Sequence, residues 1–345
     1  MSPISKMFNY TNEGCITELS TDKTICSGIL TNGIYVMNDD DGPSYFYRGD
    51  VNNLVKFGSY TKDYYVYRYV SGDDTYDFVS LEACKREYSS CSESNKVLKY
   101  KASDNVPMYW KIVRINGDGT IRMIYAGTTP DATGYDTGIG LSNFNEKYDE
   151  NKYLGYTYDK LTTETNSGAK TEIDNWYSNV LEGTVYDSKI ATGKFCSDSS
   201  GYTQFDTYSY NFASTIRNGL SSDLTVETAS PTFKCSGEMD PNFGGSYNLK
   251  AGLLTADEAV AAGGQFLSGS ANGYLGAYSP FWTMTPAGST KYDGIYNFVV
   301  MNGAILPMYV SWDDFILCPV INLRADVVFK EGTDGSKERP YELVD

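Results

Sequence analysis

The chemistry open to this chain is narrowed first by a missing residue type. Among its 345 residues there is no histidine. That excludes histidine-based triads, imidazole general bases and histidine metal ligands. Carboxylates, thiols, tyrosines and lysines remain. Seven cysteines are present. Cys15 and Cys26 are close, as are Cys84 and Cys91; Cys196 and Cys235 flank a polar loop, and Cys318 is left over. No CxxC spacing and no histidine accompany them, so zinc is not expected. Local disulfides in an exported protein fit this usage, against the alternative of reduced thiols in a cytosolic one.

The carboxylates raise glycoside hydrolysis as an activity. Asp257-Glu258 and Asp313-Asp314 are adjacent pairs. Neighbours along a strand point to opposite faces, and Glu258 follows Thr255 at capping-box spacing. A carboxylate-based glycoside hydrolase therefore ranks below a binding function, and no catalytic residue is expected. Asp39, Asp40 and Asp41 crowd one turn without the spacing of a calcium loop, which needs alternate ligands, a glycine and a distal glutamate. They read as a solvated turn, and no metal or cofactor is expected. Arg48-Gly49-Asp50 is an integrin-type tripeptide of the kind that arises by chance.

Tyrosine is the type in excess, at 31 residues, beside 33 glycines. Tyrosine offers a large amphipathic surface with few torsions to freeze, which suits a binding face. The plainer account is a strand-rich fold with many half-buried tyrosines. With 28 basic and 44 acidic residues the net charge is −16, which argues against nucleic acid and anionic membranes as partners. No apolar run is long enough to span a bilayer, and no secretion leader is visible at the start. A hydrophobic share of 41% is ample for a core.

The elements that must position these residues follow from local patterns. Residues 33–57 read as strands around an Asp-Gly-Pro turn, and residues 109–125 as a hairpin turning at Asn116-Gly117-Asp118-Gly119. Ser80 opens a short helix. Ile173, Trp176, Tyr177, Val180 and Leu181 mark an amphipathic helix over 171–183, with Thr171 as N-cap and Gly183 as stop. A second helix, 255–262, carries the Thr255/Glu258 box and ends at Gly263-Gly264. From residue 278 onward the pattern is short strands at 281–286, 296–300, 304–310 and 317–323, with turns at Ala287-Gly288, Asn302-Gly303 and Asp313-Asp314. The expected class is α+β.

Several phrases, in order, carry a resemblance. They are Tyr109-Trp-Lys-Ile-Val-Arg-Ile-Asn-Gly-Asp-Gly-Thr120, Pro231-Thr-Phe-Lys-Cys235, Gly252-Leu-Leu-Thr-Ala-Asp-Glu258, Phe281-Trp-Thr-Met-Thr-Pro286 and Pro319-Val-Ile-Asn-Leu323. Together they resemble Firmicutes surface proteins with a C-type-lectin-like domain of the formylglycine-generating-enzyme type. The C-terminal layout is similar to the variable proteins of diversity-generating retroelements, with Trp282 to Pro286 opening the last part and Pro319 to Leu323 closing it. The family's arginine before the final proline is replaced here by Cys318, an unpaired thiol or an intermolecular link. An oxidase of the formylglycine type needs two cysteines near the C-terminus, and only Cys318 lies there, so fold analogy does not bring that activity.

The resemblance implies a C-type-lectin-like fold, in which the strand-rich pattern read above, with its two amphipathic helices and long loops, is placed. Residues 1–30 would be an irregular arm, 31–330 the domain with a Tyr/Asp-rich surface insertion at 58–108, and 331–345 a polar tail. It also implies an exposed ligand-binding face between Ala287 and Cys318. The candidates there are Ser289, Tyr292, Asp293, Tyr296, Phe298, Tyr309, Ser311, Trp312, Asp313, Asp314 and Phe315, rigid aromatics among small polar and acidic neighbours. The expected protein is an adhesin or receptor on a Gram-positive surface, or on a phage particle, binding a protein or a glycan. The alternative is a structural pilus-tip or stalk subunit.

Overall fold

A computed structural model describes residues 32–146, 156–158, 165–196, 203–206, 209–211, 231–235, 246–266, 273–290, 294–312 and 315–344. The expected 1–30 arm, with Cys15 and Cys26, lies outside these residues.

The labelled elements begin with β1 (Gly33–Asn38), β2 (Pro43–Arg48), β3 (Leu54–Ser59), β4 (Tyr64–Ser71), β5 (Asp74–Phe78) and α1 (Leu81–Glu87). Then come β6 (Lys96–Tyr100), β7 (Pro107–Ile115), β8 (Ile121–Tyr125), β9 (Leu141–Ser142), α2 (Gly168–Val180) and α3 (Ala256–Ala261). The last are β10 (Phe281–Thr290), β11 (Gly294–Met301), β12 (Ala304–Tyr309), β13 (Phe315–Ile316), β14 (Val320–Leu323) and β15 (Tyr341–Glu342).

The chain is α+β and strand-rich, as its alternating patterns predict. Two sheets dominate the described residues. One has nine strands and runs through β1, β2, β7, β8 and β14. The other has eleven and runs β12-β11-β10-β13-β9-β5-β4-β6. The predicted β7–β8 hairpin sits in the middle of the first sheet, with Trp110 opposite Tyr125 and Ile115 opposite Ile121. Its turn closes through Gly119 at φ +84°, which glycine adopts without strain. Asp118 accepts bonds from the Thr120 N–H and hydroxyl at 2.9 and 2.6 Å. Every residue of β8 is buried. Trp110, Tyr125 and Trp176 meet edge to face at 5.3 to 6.2 Å, which ties α2 to this hairpin.

The helices depart from expectation at α2, which runs Gly168–Val180 where the sequence pattern predicts 171–183. The α2 N-cap is Ser167, whose hydroxyl accepts from Lys170 N–H at 3.1 Å. Thr171 lies inside the first turn and donates back to the Ser167 carbonyl at 3.0 Å. Both residues are good caps, and apolar periodicity does not choose between them. Gly183 follows the helix at φ +71°. Ser80 caps α1 as expected, and the Thr255/Glu258 box is complete at the start of α3.

Two other expectations are corrected. The stretch read as a surface insertion, 58–108, supplies β4, β5 and β6 to the larger sheet, and its Val66, Phe78 and Cys84 are fully buried. The expected turn at Ala287-Gly288 is the continuation of β10, which absorbs it through register shifts around Pro286. The polar tail returns as β15, parallel to β3. Cys84–Cys91 and Cys196–Cys235 are disulfides, and Cys318 is a buried free thiol. No helix of the described residues is long and apolar enough to cross a membrane.

Candidate binding face and the charge cluster beneath the scaffold

The β11–β12 hairpin turns at Asn302-Gly303, with φ of +50° and +76°. That is the backbone sign pattern of a two-residue primed turn, and Asn-Gly is its favoured sequence. The turn sets the register that places Tyr296 opposite Tyr309. Their rings lie 4.6 Å apart. A row of rings continues from Tyr309 to Trp312 at 5.7 Å, from Trp312 to Phe315 at 6.3 Å, and from Phe315 to Trp282 at 4.9 Å. Trp282 donates its indole N–H to the Ser142 carbonyl at 2.8 Å and packs on Phe144. The row thus begins in the core and surfaces at Trp312, which is 44% exposed.

The face expected from sequence is divided by this geometry. Tyr296, Tyr309 and Ser311 are half-buried and Trp312 is exposed, and the rings of Tyr296, Tyr309 and Trp312 run on from one another. Phe298 and Phe315 do not: they are 0% and 4% exposed and belong to the core. Strand alternation predicts that Asn297 and Val299 face out if Phe298 and Val300 face in. All four are buried, because β11 lies inside the sheet with protein on both faces. Asn297 donates its amide N–H to the Thr283 carbonyl at 2.6 Å while its Oδ1 accepts no hydrogen bond, and Thr283 donates to the Phe298 carbonyl at 2.9 Å. These bonds lock the hairpin to β10. Ser289 is in β10, opposite Ile295. Tyr292, Asp293, Asp313 and Asp314 lie outside the described residues.

Sequence reasoning missed a buried charge cluster. Arg114 and Arg122 are register partners across β7–β8. Glu258 lies between them, with Oε1 at 3.0 Å from Arg114 Nε and 2.6 Å from Arg122 Nε. Asp39 pairs with Arg114 at 3.0 Å. Each guanidinium also covers a ring, Arg114 over Phe233 at 4.7 Å and Arg122 over Phe195 at 4.0 Å. Burial pushes the Glu258 carboxyl up, but Arg122, Arg114 and the Thr255 N–H outweigh it, so its pKa falls below the ordinary value. Burial pushes Arg122 down to about 10, against the pull of Glu258. Both remain ionised at neutral pH.

A signal for this cluster was present. Like charges placed opposite each other on an antiparallel pair are destabilising, so Arg114 facing Arg122 calls for a carboxylate. Capping-box spacing accounts for only part of what Glu258 does, since it also bridges both arginines. Asp39, read as part of a solvated turn, is 8% exposed and also accepts from Gly117 N–H at 2.8 Å.

The segment 231–235 closes over this cluster. Phe233 bridges to Asp39, Thr232 N–H donates to Asp257 at 2.9 Å, and Cys235 N–H donates to Asp40 at 3.1 Å. Lys194 pairs with the same Asp40. Arg114, Arg122 and Lys194 each have a carboxylate, so this arrangement braces the fold. Arg48 donates to the carbonyls of Val260 and Ala261 at 2.8 and 2.9 Å, closing the C-terminal end of α3. The arginine of the integrin-type tripeptide is therefore engaged. Cys318 is 1% exposed and its thiol reaches the Thr137 carbonyl at 3.6 Å, which removes it from any intermolecular link in this fold. Among the described residues no group of three or more acidic, cysteine or histidine side chains could hold a metal.

No family model, curated protein or solved structure matches this chain.

Proposed function

We propose that this is a ligand-binding protein of the adhesin or receptor type, built on a C-type-lectin-like scaffold and exposed outside the cell. Its binding face is the surface of Tyr296, Tyr309, Ser311 and Trp312. The observation that carries the reading is the ring row that joins exposed Trp312 to buried Trp282. Rings held by their neighbours lose little freedom on binding, which lowers the entropic cost of association. Tyr and Trp would stack on the ligand, and hydroxyls would set its orientation. The ligand class is a protein or a glycan, and the −16 charge disfavours a strongly acidic one. The disulfides support an oxidising compartment. The ordered phrases of the C-terminal part support a variable protein of the retroelement type, on a Gram-positive surface or a phage particle. A binder is favoured over a carboxylate hydrolase because Glu258 is committed to two arginines and a helix cap.

The test is a Tyr309→Ala/Trp312→Ala double variant, screened with the parent chain on glycan and surface-protein arrays. The expected result is loss of the parent's binding with a melting temperature lowered by only a few degrees, since Trp312 is exposed and Tyr309 only half-buried. Binding that survives the double change rejects this face.

A further inference from the structure

A second tyrosine cluster lies on the other arm of the eleven-stranded sheet. Tyr69 is in β4 opposite Tyr76 of β5. Tyr88, just beyond the end of α1, lies flat on Tyr69, with ring centroids 3.7 Å apart and planes 10° from parallel. Other close tyrosine pairs of the described residues are wider and more tilted: Tyr60–Tyr100 is 4.4 Å at 40°, and Tyr296–Tyr309 is 4.6 Å at 34°. Tyr69 and Tyr88 are both half-buried. Their backbones are held. Tyr88 sits inside the Cys84–Cys91 disulfide loop, donating to the Cys84 carbonyl at 2.8 Å and accepting from Cys91 N–H at 2.9 Å. The cluster also reaches solvent. Tyr76 is 6.1 Å from Tyr88 and 6.2 Å from Tyr135, which is 49% exposed.

We propose that Tyr69 and Tyr88 are a modification site, a pair placed for oxidative coupling into a dityrosine cross-link by hydrogen peroxide acting through a haem peroxidase. Each phenol gives up one electron and one proton. The two radicals join through their ortho carbons, and the two displaced ring hydrogens return to the phenol oxygens as the rings regain aromaticity. The protein loses two hydrogens in all. One peroxide takes up the two electrons and two protons and leaves as two waters. The new carbon–carbon bond ties β4 to the end of α1 beside the Cys84–Cys91 disulfide, and thiols do not reduce it.

The full chain, dilute, is treated with peroxidase and peroxide, then reduced, digested and mapped by mass spectrometry. The expected product is one intramolecular pair of peptides carrying Tyr69 and Tyr88, two hydrogens lighter than their sum. Tyr69→Phe and Tyr88→Phe each keep the stacked rings and the fold but lose that product. After thiol reduction, the cross-linked chain keeps α1 protected from amide exchange where the untreated chain loses protection. Cross-links that map to Tyr296–Tyr309 or between molecules overturn the assignment. So does oxidation of Tyr135 without any dityrosine, or equal dityrosine in both phenylalanine variants.

Discussion

Arg114 and Arg122 face each other across a hairpin in the interior of a sheet, and one carboxylate makes that arrangement stable. Buried ion pairs contribute little against apolar substitutes, but breaking one leaves an uncompensated charge at high cost. Glu258→Gln tests this without disturbing the helix cap, since the amide oxygen still accepts from Thr255 N–H. The variant should lose about 3 kcal/mol of stability in urea denaturation at neutral pH. The pH dependence follows from the direction of the shift. The folded pKa of Glu258 lies below its unfolded value. Its contribution is therefore full above the unfolded pKa and is lost as pH falls through the folded one, in the acid range below roughly pH 5. The parent should lose stability on acidification more steeply than Glu258→Gln, and equal slopes would show that other carboxylates control the transition.

Among the elements, α2 offers the sharpest test of what caps a helix. Ser167 makes the bond to Lys170 N–H, whereas Thr171 bonds only a carbonyl one turn behind it. Ser167→Ala should cost about 1 kcal/mol and Thr171→Ala well under that, by thermal or urea melts of the two variants. The comparison shows where local sequence is informative. The Thr255/Glu258 box, the Ser80 cap, the β7–β8 hairpin and the Asn302-Gly303 turn were all legible, because each is fixed by residues a few positions apart. The buried state of Asn297 and Val299 was not, because alternation presumes one wet face and β11 has none. For the same reason Phe298 and Phe315 could not be separated from Tyr296, Tyr309 and Trp312 by type or spacing. The Arg114–Glu258–Arg122 bridge spans residues far apart in the chain, and only the implied register of the hairpin hinted at it.

For the whole molecule, the Cys196–Cys235 disulfide holds the 231–235 segment over the charge cluster and so links the first sheet, through Asp39, to Asp257 on α3. The cross-link closes a separation of 39 residues. Replacing both cysteines by serine should lower stability by about 3 kcal/mol. Amide exchange at 232–235 should accelerate while the Cys84–Cys91 loop keeps its protection. Uniform acceleration would mean that the segment is held by the general fold and not by its own clamp. A different property follows from the way β15 returns beside β3. The two strands share only the pairs Tyr341–Val55 and Glu342–Lys56, helped by surface ion pairs from Lys56 and Lys330 to Glu342 at 3.4 and 3.1 Å. A pull applied at Val344 loads its bond to the Val328 carbonyl at 2.8 Å and the Leu343–Phe329 bridge, and then this seam. These short contacts peel at low tension while the β7–β8 hairpin, deeper in the same sheet, stays unloaded, so mechanical stress entering from that side is spent on a short, re-closable strand before it reaches the interior of the sheet.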